Sequence, residues 1–256
     1  MAVVSSTLSR FFPRPLRLFL IIAGCALLGW VMARGFAYTW NWEVLPKWTA
    51  VIKTGLVTTL WFSVASVLVA LLLGTLLSLI SISRIPVIRD VYVVFIEVVR
   101  NTPLLVQILI GYFVIGSIFN LSALVAGIAS LSIFTSAYVA EIIRGGIEAV
   151  DKGQREAAYT LGMSHAQTMR LVIMPQAFRI SLPALTGQLV STIKDSSLLS
   201  IIAVQELTLS TQQAISNSAA SFEFWALNAA LYFIICFPLS RMVVYLEKRM
   251  KRRVAS

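Results

Sequence analysis

The sequence predicts an all-α, polytopic membrane protein with about six transmembrane helices, on three observations. Hydrophobic residues make up 58% of the chain and charged residues only 12%, which is more apolar surface than a soluble domain of this length can bury. Several apolar runs approach or exceed the roughly 20 residues that cross a bilayer as a helix. Basic residues cluster at the ends of those runs rather than along one soluble face. The net charge of +10 is therefore a signature of topology, and no nucleic acid partner is expected.

The elements follow in order. Arg10, Arg14 and Arg17 precede the apolar run 18–33, the first span. Val31 and Ala33 also fit the small-residue pattern of a signal-peptidase site, so cleavage before Arg34 would leave five spans. The aromatic stretch Phe36, Tyr38, Trp40, Trp42 and Trp48 suits a belt of amphipathic rings at the outer headgroup level. Residues 55–82 form a long second span ending near Ser83, Arg84 and Pro86. Residues 85–100 mix Arg89, Asp90, Glu97 and Arg100 with aliphatic side chains, too many charges to span comfortably; the expectation is an amphipathic helix along the cytoplasmic interface, halted before Pro103. A short third span (104–119) turns at Asn120 and Ser122 into a fourth (121–143). After a polar stretch, residues 180–204 are apolar again but interrupted by Lys194-Asp195-Ser196-Ser197. Residues 208–221 read as a Ser/Thr/Gln/Asn-rich loop, and a sixth span begins at Phe224, its exit marked by Lys248, Arg249, Lys251, Arg252 and Arg253.

Placing the amino terminus inside gathers the basic clusters at 10–17, 84–100, 144–179 and the carboxy terminus on one side and leaves only Arg34, Lys47 and Lys53 on the other. That asymmetry is the positive-inside bias, which makes both termini and the polar stretch 145–180 cytoplasmic. The expected organisation is a first span and outer aromatic loop (1–49), a transmembrane domain (50–246) carrying the cytoplasmic loop 145–180, and a basic tail (247–256).

Chemistry-bearing residues are few. Cys25 and Cys236 lie in apolar runs far from any Cys/His ligand spacing and read as small buried hydrophobes; His165 has no partners for a metal site. No catalytic constellation and no phosphate loop is present, so this chain is expected to hold no cofactor and to catalyse nothing itself. Lys194 and Asp195 are ionisable groups inside a span, costly in lipid unless paired or facing a cavity. Adjacent helical residues point about 100° apart, so each needs a partner elsewhere, and two roles fit: lining a translocation path with Asn101, Gln107, Gln188 and Ser196, or structural bracing. Glu141 and Arg144, near the inner face, read as structural. Thr135, Ser136, Tyr138, Ser191 and Thr192 suit interhelical hydrogen bonding as well as solute contact.

The polar stretch 151–175 is punctuated as two short helices. Asp151 caps the first, with Gln154 three residues on, and Gly162 ends it; Ser164 with Gln167 makes a capping-box pattern for the second, which Pro175 is expected to close. Ala157 and Ala158 give the first helix a small-residue face for close approach, with Arg155, Glu156 and Arg170 at its rim. Glu156-Ala157-Ala158, then Gly162, Val172 and Met174-Pro175 at their spacing, resemble the EAA loop of binding-protein-dependent ABC importer permeases. Val172 and Met174 stand where Ile and Leu are more usual. Three further stretches, 100–107 (Arg-Asn-Thr-Pro-Leu-Leu-Val-Gln), 138–147 (Tyr-Val-Ala-Glu-Ile-Ile-Arg-Gly-Gly-Ile) and 194–198 (Lys-Asp-Ser-Ser-Leu), resemble permeases for polar amino acids, and the likeness covers about residues 50–246.

The resemblance implies an ABC importer permease core in a bacterial inner membrane. It implies a loop around Arg155, Glu156, Ala157, Ala158, Gly162 and Pro175 that seats on a separate ATPase dimer holding ATP and Mg. A second permease copy or sister permease and an extracytoplasmic amino-acid-binding protein complete the expected assembly. The alternative is an ion-coupled secondary transporter of small polar solutes with Glu97, Glu141 and Asp195 as a relay. It has no need of the helix pair.

Overall fold

The structure is a computed structural model that describes residues 14–35, 38–82 and 85–254; Arg10, Phe36, Ser83 and Arg84, which figure in the expectations above, lie outside the described residues. The chain divides into two units, residues 1–41 and 42–256. In the first, helix α1 (Arg14–Gly35) covers the expected first span. The second unit contains the remaining elements, all helical among the described residues.

A 3-10 segment (Trp42–Trp48) leads into α2 (Thr49–Ser81), and together they are long and apolar enough to cross a membrane. One face of α2 is a stripe of small residues at helical spacing, Gly55, Thr59, Ser63, Ser66, Ala70, Gly74 and Ser78, all buried. In lipid there is little hydrophobic drive to join helices, so close backbone approach along such stripes supplies the packing. At Gly74 the approach is tight enough that a Cβ would lie 2.8 Å from the Ser136 carbonyl.

Helix α3 (Pro86–Asn101) begins with proline at its first position and ends where Thr102, held extended by the following Pro103, breaks the helix. It buries Tyr92, Ile96 and Val99 and exposes Val87, Val91, Val94 and Val98, the amphipathic pattern expected. The next helix, α4 (Leu104–Phe119), is bent 105° from α3. The Gln107 amide donates to the carbonyls of Val99 (2.7 Å) and Thr102 (3.1 Å), satisfying carbonyls that the helix end would otherwise orphan. After a π-helical stretch (Ile110–Gly116), α4 ends on Asn120 in the left-handed conformation, and Ser122 caps α5 (Ala123–Glu148) by accepting from Val125 N–H.

Helix α5 is the most enclosed span. It packs on α2 and on α7 (Met174–Asp195), and Val139, Ile143 and Ile147 join Val150, Ile173, Ala177 and Leu185 in one core cluster. A 3-10 segment (Ser196–Ile202) follows α7 and stops at Ala203, whose φ is +59°. The last helix, α9 (Ser221–Val254), is long and apolar enough to cross as well.

Two expectations need correction. Pro175 does not close a helix: the chain runs from a short turn (His165–Gln167) through a π-helical stretch (Thr168–Ile173) straight into α7. Proline sits at the start of α7 after a wider-than-α turn, where its missing N–H and its ring cost least. Residues 208–221 are not a loop throughout, because Leu207–Ser218 form helix α8. The wholly buried Glu206 caps α8, its carboxylate accepting from the N–H groups of Thr208 and Leu209, each at 2.8 Å. The Thr59 hydroxyl of α2 accepts from Leu207 N–H at 3.0 Å. Tertiary capping and burial override the weak helix propensity of a Ser/Thr-rich stretch.

Candidate coupling surface and its anchorage

The helix pair expected at 151–175 is present, and its punctuation is local chemistry. Asp151 accepts from Gly153 N–H at 2.7 Å and caps α6 (Lys152–Thr160). Gly162, at φ +77°, ends it: Met163 N–H reaches back to Ala158 O (3.1 Å) and Gly162 N–H to Tyr159 O (2.9 Å). This pair of bonds is a Schellman closure, which wants glycine at the left-handed position. Ser164 and Gln167 form a complete capping box for the returning segment. Across the turn, Tyr159 and His165 share a hydrogen bond of 2.9 Å, and Gln154 accepts from Gln176 at 3.3 Å.

The two alanines part company. Ala158 is buried against its own chain, whereas Ala157 and Glu156 are exposed and Arg155 is half-buried. Leu161, at the turn, is 81% exposed, and Tyr159 and Leu171 flank it in the open. Pro175 is exposed at the start of α7. The loop therefore presents a protruding apolar tip with an acidic shoulder, on a base held by Val150 and Ile173 in the α5–α7 core.

The end of α5 from which this loop departs is tied to α3 by a charge cluster. Glu141 accepts from Tyr92 Oη (2.7 Å), from Arg100 Nη1 (3.1 Å) and from Arg144 through Nε (2.8 Å) and Nη2 (3.1 Å). Arg144 also bonds Glu148 at 2.6 Å, and the Arg100 guanidinium lies 5.3 Å from the centre of the Tyr138 ring. Bidentate, charge-assisted contacts of this kind fix geometry as well as charge. Glu141 and Arg144 are thus ion-paired within the chain, the arrangement a bracing role needs, and Glu141 is not a free carboxylate. The cluster borders a cavity of about 680 Å³ whose wall balances Arg89, Arg100 and Arg144 against Glu97, Glu141 and Glu148.

The candidate path residues scatter. Asn101 is exposed on the wall of that cavity, its amide donating to Glu97 O at 2.9 Å. Gln107 serves the α3–α4 bend. Gln188 is half-buried in the middle of α7, and Ser196 is wholly buried with its hydroxyl on Ile193 O. Lys194 is exposed and Asp195 half-buried at the end of α7. No single site among the described residues gathers all six. Sequence reasoning missed Tyr92, Glu206, Asn228 and Tyr232; the signal available was a polar residue inside an apolar run, with nothing to say what it faces.

Residues 70–252 match the family model described as binding-protein-dependent transport system inner membrane component. The glutamine transport system permease protein GlnP of Escherichia coli (strain K12) is 37% identical over 219 residues, covering 84% of this chain and 98% of that one. The L-cystine transport system permease protein TcyB of Bacillus subtilis (strain 168) is 36% identical over 224 residues, 86% of this chain and 95% of the relative. A crystal structure of an amino acid ABC transporter with histidines superposes with a TM-score of 0.78 at 39% identity, covering 83% of this chain and all of that one. The MetNI methionine ABC transporter in an inward-facing conformation gives 0.62 at 17% identity over 77% of this chain and 96% of its own, a likeness of fold alone. The chain belongs to the family of binding-protein-dependent transport system inner-membrane components.

Proposed function

We propose that this chain is the permease subunit of an ATP-driven importer of a polar amino acid, and that the loop around Glu156 to Pro175 transmits closure of an ATPase dimer to the spans. The observation that carries the reading is the exposed helix–turn–helix. Its tip is held by caps at both helices, and its base is continuous with α5 on one side and α7 on the other. A rigid lever of this kind can move two spans when its tip is moved. Arg155, Glu156, Ala157 and Gly162 would meet the ATPase, Ala158 and Pro175 setting the shape beneath them. ATP and Mg would belong to that partner.

Glutamine and cystine are what the named relatives carry, and both are polar amino acids. A second permease copy or sister permease and an extracytoplasmic binding protein would complete the assembly. Residues 1–49 would add an accessory span, 50–246 the permease domain and 247–256 a cytoplasmic basic tail, with both termini inside a bacterial inner membrane.

The test is uptake of a panel of labelled amino acids into proteoliposomes holding this chain, its ATPase and the matching binding protein. Uptake that needs both ATP and the binding protein is expected. Uptake driven by an ion gradient without ATP would replace the importer with an ion-coupled carrier.

A further inference from the structure

Lys53 stands apart from the basic clusters that mark the other ends of the spans. It lies in the second turn of α2, just ahead of the apolar run that begins at Gly55. At a rise of about 1.5 Å per residue, that puts it about 3 Å outside the hydrocarbon, where lipid phosphates lie. Trp42 and Trp48 of the preceding 3-10 segment mark the same level, since indole rings settle at the headgroup boundary. Lys53 is exposed, and among the described residues it forms no ion pair.

Lys53 borders an apolar groove of about 460 Å³, with Thr49, Ile52 and Leu56 of α2 on one wall and Leu227 and Leu231 of α9 on the other. The groove is firmly backed. Ile52 is buried in one cluster with Leu207 and Phe224, and Leu56, Leu227 and Leu231 pack against it half-buried. Apart from Lys53, the polar side chain on the wall is Thr49, whose hydroxyl donates to Leu45 O at 3.4 Å. A small polar solute finds nothing to bond there, whereas an apolar chain finds two walls of matching character.

The occupant therefore needs an apolar body and an anionic end at the height of Lys53. A second copy of this chain is a poor match in charge. Of the carboxylates on the 3-10 segment, the α8 cap and the first turn of α9, Glu206 and Glu223 are wholly buried and only Glu43 is exposed. Set against the exposed Lys47 and Lys53, it leaves the rim net positive. We propose that the groove holds one anionic phospholipid, its phosphate on Lys53 and an acyl chain along Leu56, Leu227 and Leu231. Buried methylenes supply the affinity and the lysine supplies the choice of headgroup. A zwitterionic lipid brings the same phosphate, but its ammonium group offsets the attraction. The inference goes beyond the importer reading and takes from it only the leaflet, the outer one.

The complex of this chain with its ATPase is purified in detergent and equilibrated with equal amounts of phosphatidylglycerol and phosphatidylcholine, and the lipid it retains is read by native mass spectrometry. Preferential retention of phosphatidylglycerol is expected. Lys53→Gln should lower that preference about fivefold, the worth of one lysine beside an anionic surface, while Lys53→Arg keeps it. Thr49→Trp, which fills the groove from an exposed position, should reduce retention of both lipids, a loss without change of headgroup preference. Phosphatidylglycerol carrying a diazirine on its acyl chain should label α9 at Leu227 and Leu231. Unchanged preference in Lys53→Gln, or label spread evenly along the exposed face of α2, would leave ordinary boundary lipid and overturn the proposal. Cross-linking of a photoreactive group at Leu227 to another polypeptide in place of lipid would assign the groove to a helix and overturn it as well. Each of these readings is independent of ATP-driven uptake, so the importer reading stands or falls separately.

Discussion

The charge cluster at the end of α5 and the cavity that Lys194 lines with Asn228 both place polar groups among apolar helices, and they differ in whether the chain supplies the partners. Glu141 has every strong acceptor site filled by Tyr92, Arg100 and Arg144 from within the chain. Lys194 and Asn228 are left with unmet capacity. Burying charge is costly, a cost that falls on the half-buried Glu141 and not on the exposed Lys194. A group satisfied internally recovers that cost as bracing, whereas one without an internal partner braces nothing. Polar groups in two parts of one bundle therefore differ in how much the packing depends on them.

The comparison can be broken at several points, taken from the largest effect on stability to the smallest. Glu141→Ala takes from Arg100 and Tyr92 their shared partner and leaves Arg144 with Glu148 alone, and should cost about 2–3 kcal/mol, read as a lowered thermal midpoint of the detergent-solubilised complex; an unchanged midpoint would remove the bracing role. Gly146→Ala should cost about 1–3 kcal/mol by overpacking, because the new methyl would lie 2.8 Å from the Ala177 carbonyl where α5 meets α7. Gly162→Ala forces a β-carbon into the left-handed conformation at about 1–2 kcal/mol. That strain is confined to the loop tip, so co-purification with the ATPase should fall while the midpoint barely moves. Ser164→Ala removes one half of the capping box, about 1 kcal/mol, with a smaller loss of the same co-purification. Lys194→Met should leave stability within about 0.5 kcal/mol yet lower uptake, since no internal partner is lost; a destabilisation as large as that of Glu141→Ala would make Lys194 a brace after all.

The loop was legible in advance because its signals are short-range. Asp151, Gly162, Ser164 and Gln167 act within three residues of themselves, and each performs the capping role its spacing suggests. Pro175 and residues 208–221 misled because distant groups govern them. A π-helical turn admits the proline, and Glu206 and Thr59 cap a helix whose own residues favour it weakly. Gln107 was legible as polar but not as the clasp of a 105° bend, since its acceptors belong to the preceding helix.

Hydropathy, charge asymmetry and cap spacing by themselves determined that the chain is helical, that it spans a membrane and that a helix pair protrudes at 151–175, because each depends on residues close in sequence or on their average character. Only the tertiary structure decided which polar groups brace and which are left without a partner. Tyr92 meets Glu141 across 49 positions of sequence, and Asn228 comes beside Lys194 from a separate helix. Whether a buried charge or amide is satisfied depends on neighbours that folding supplies, and no local pattern encodes their arrival.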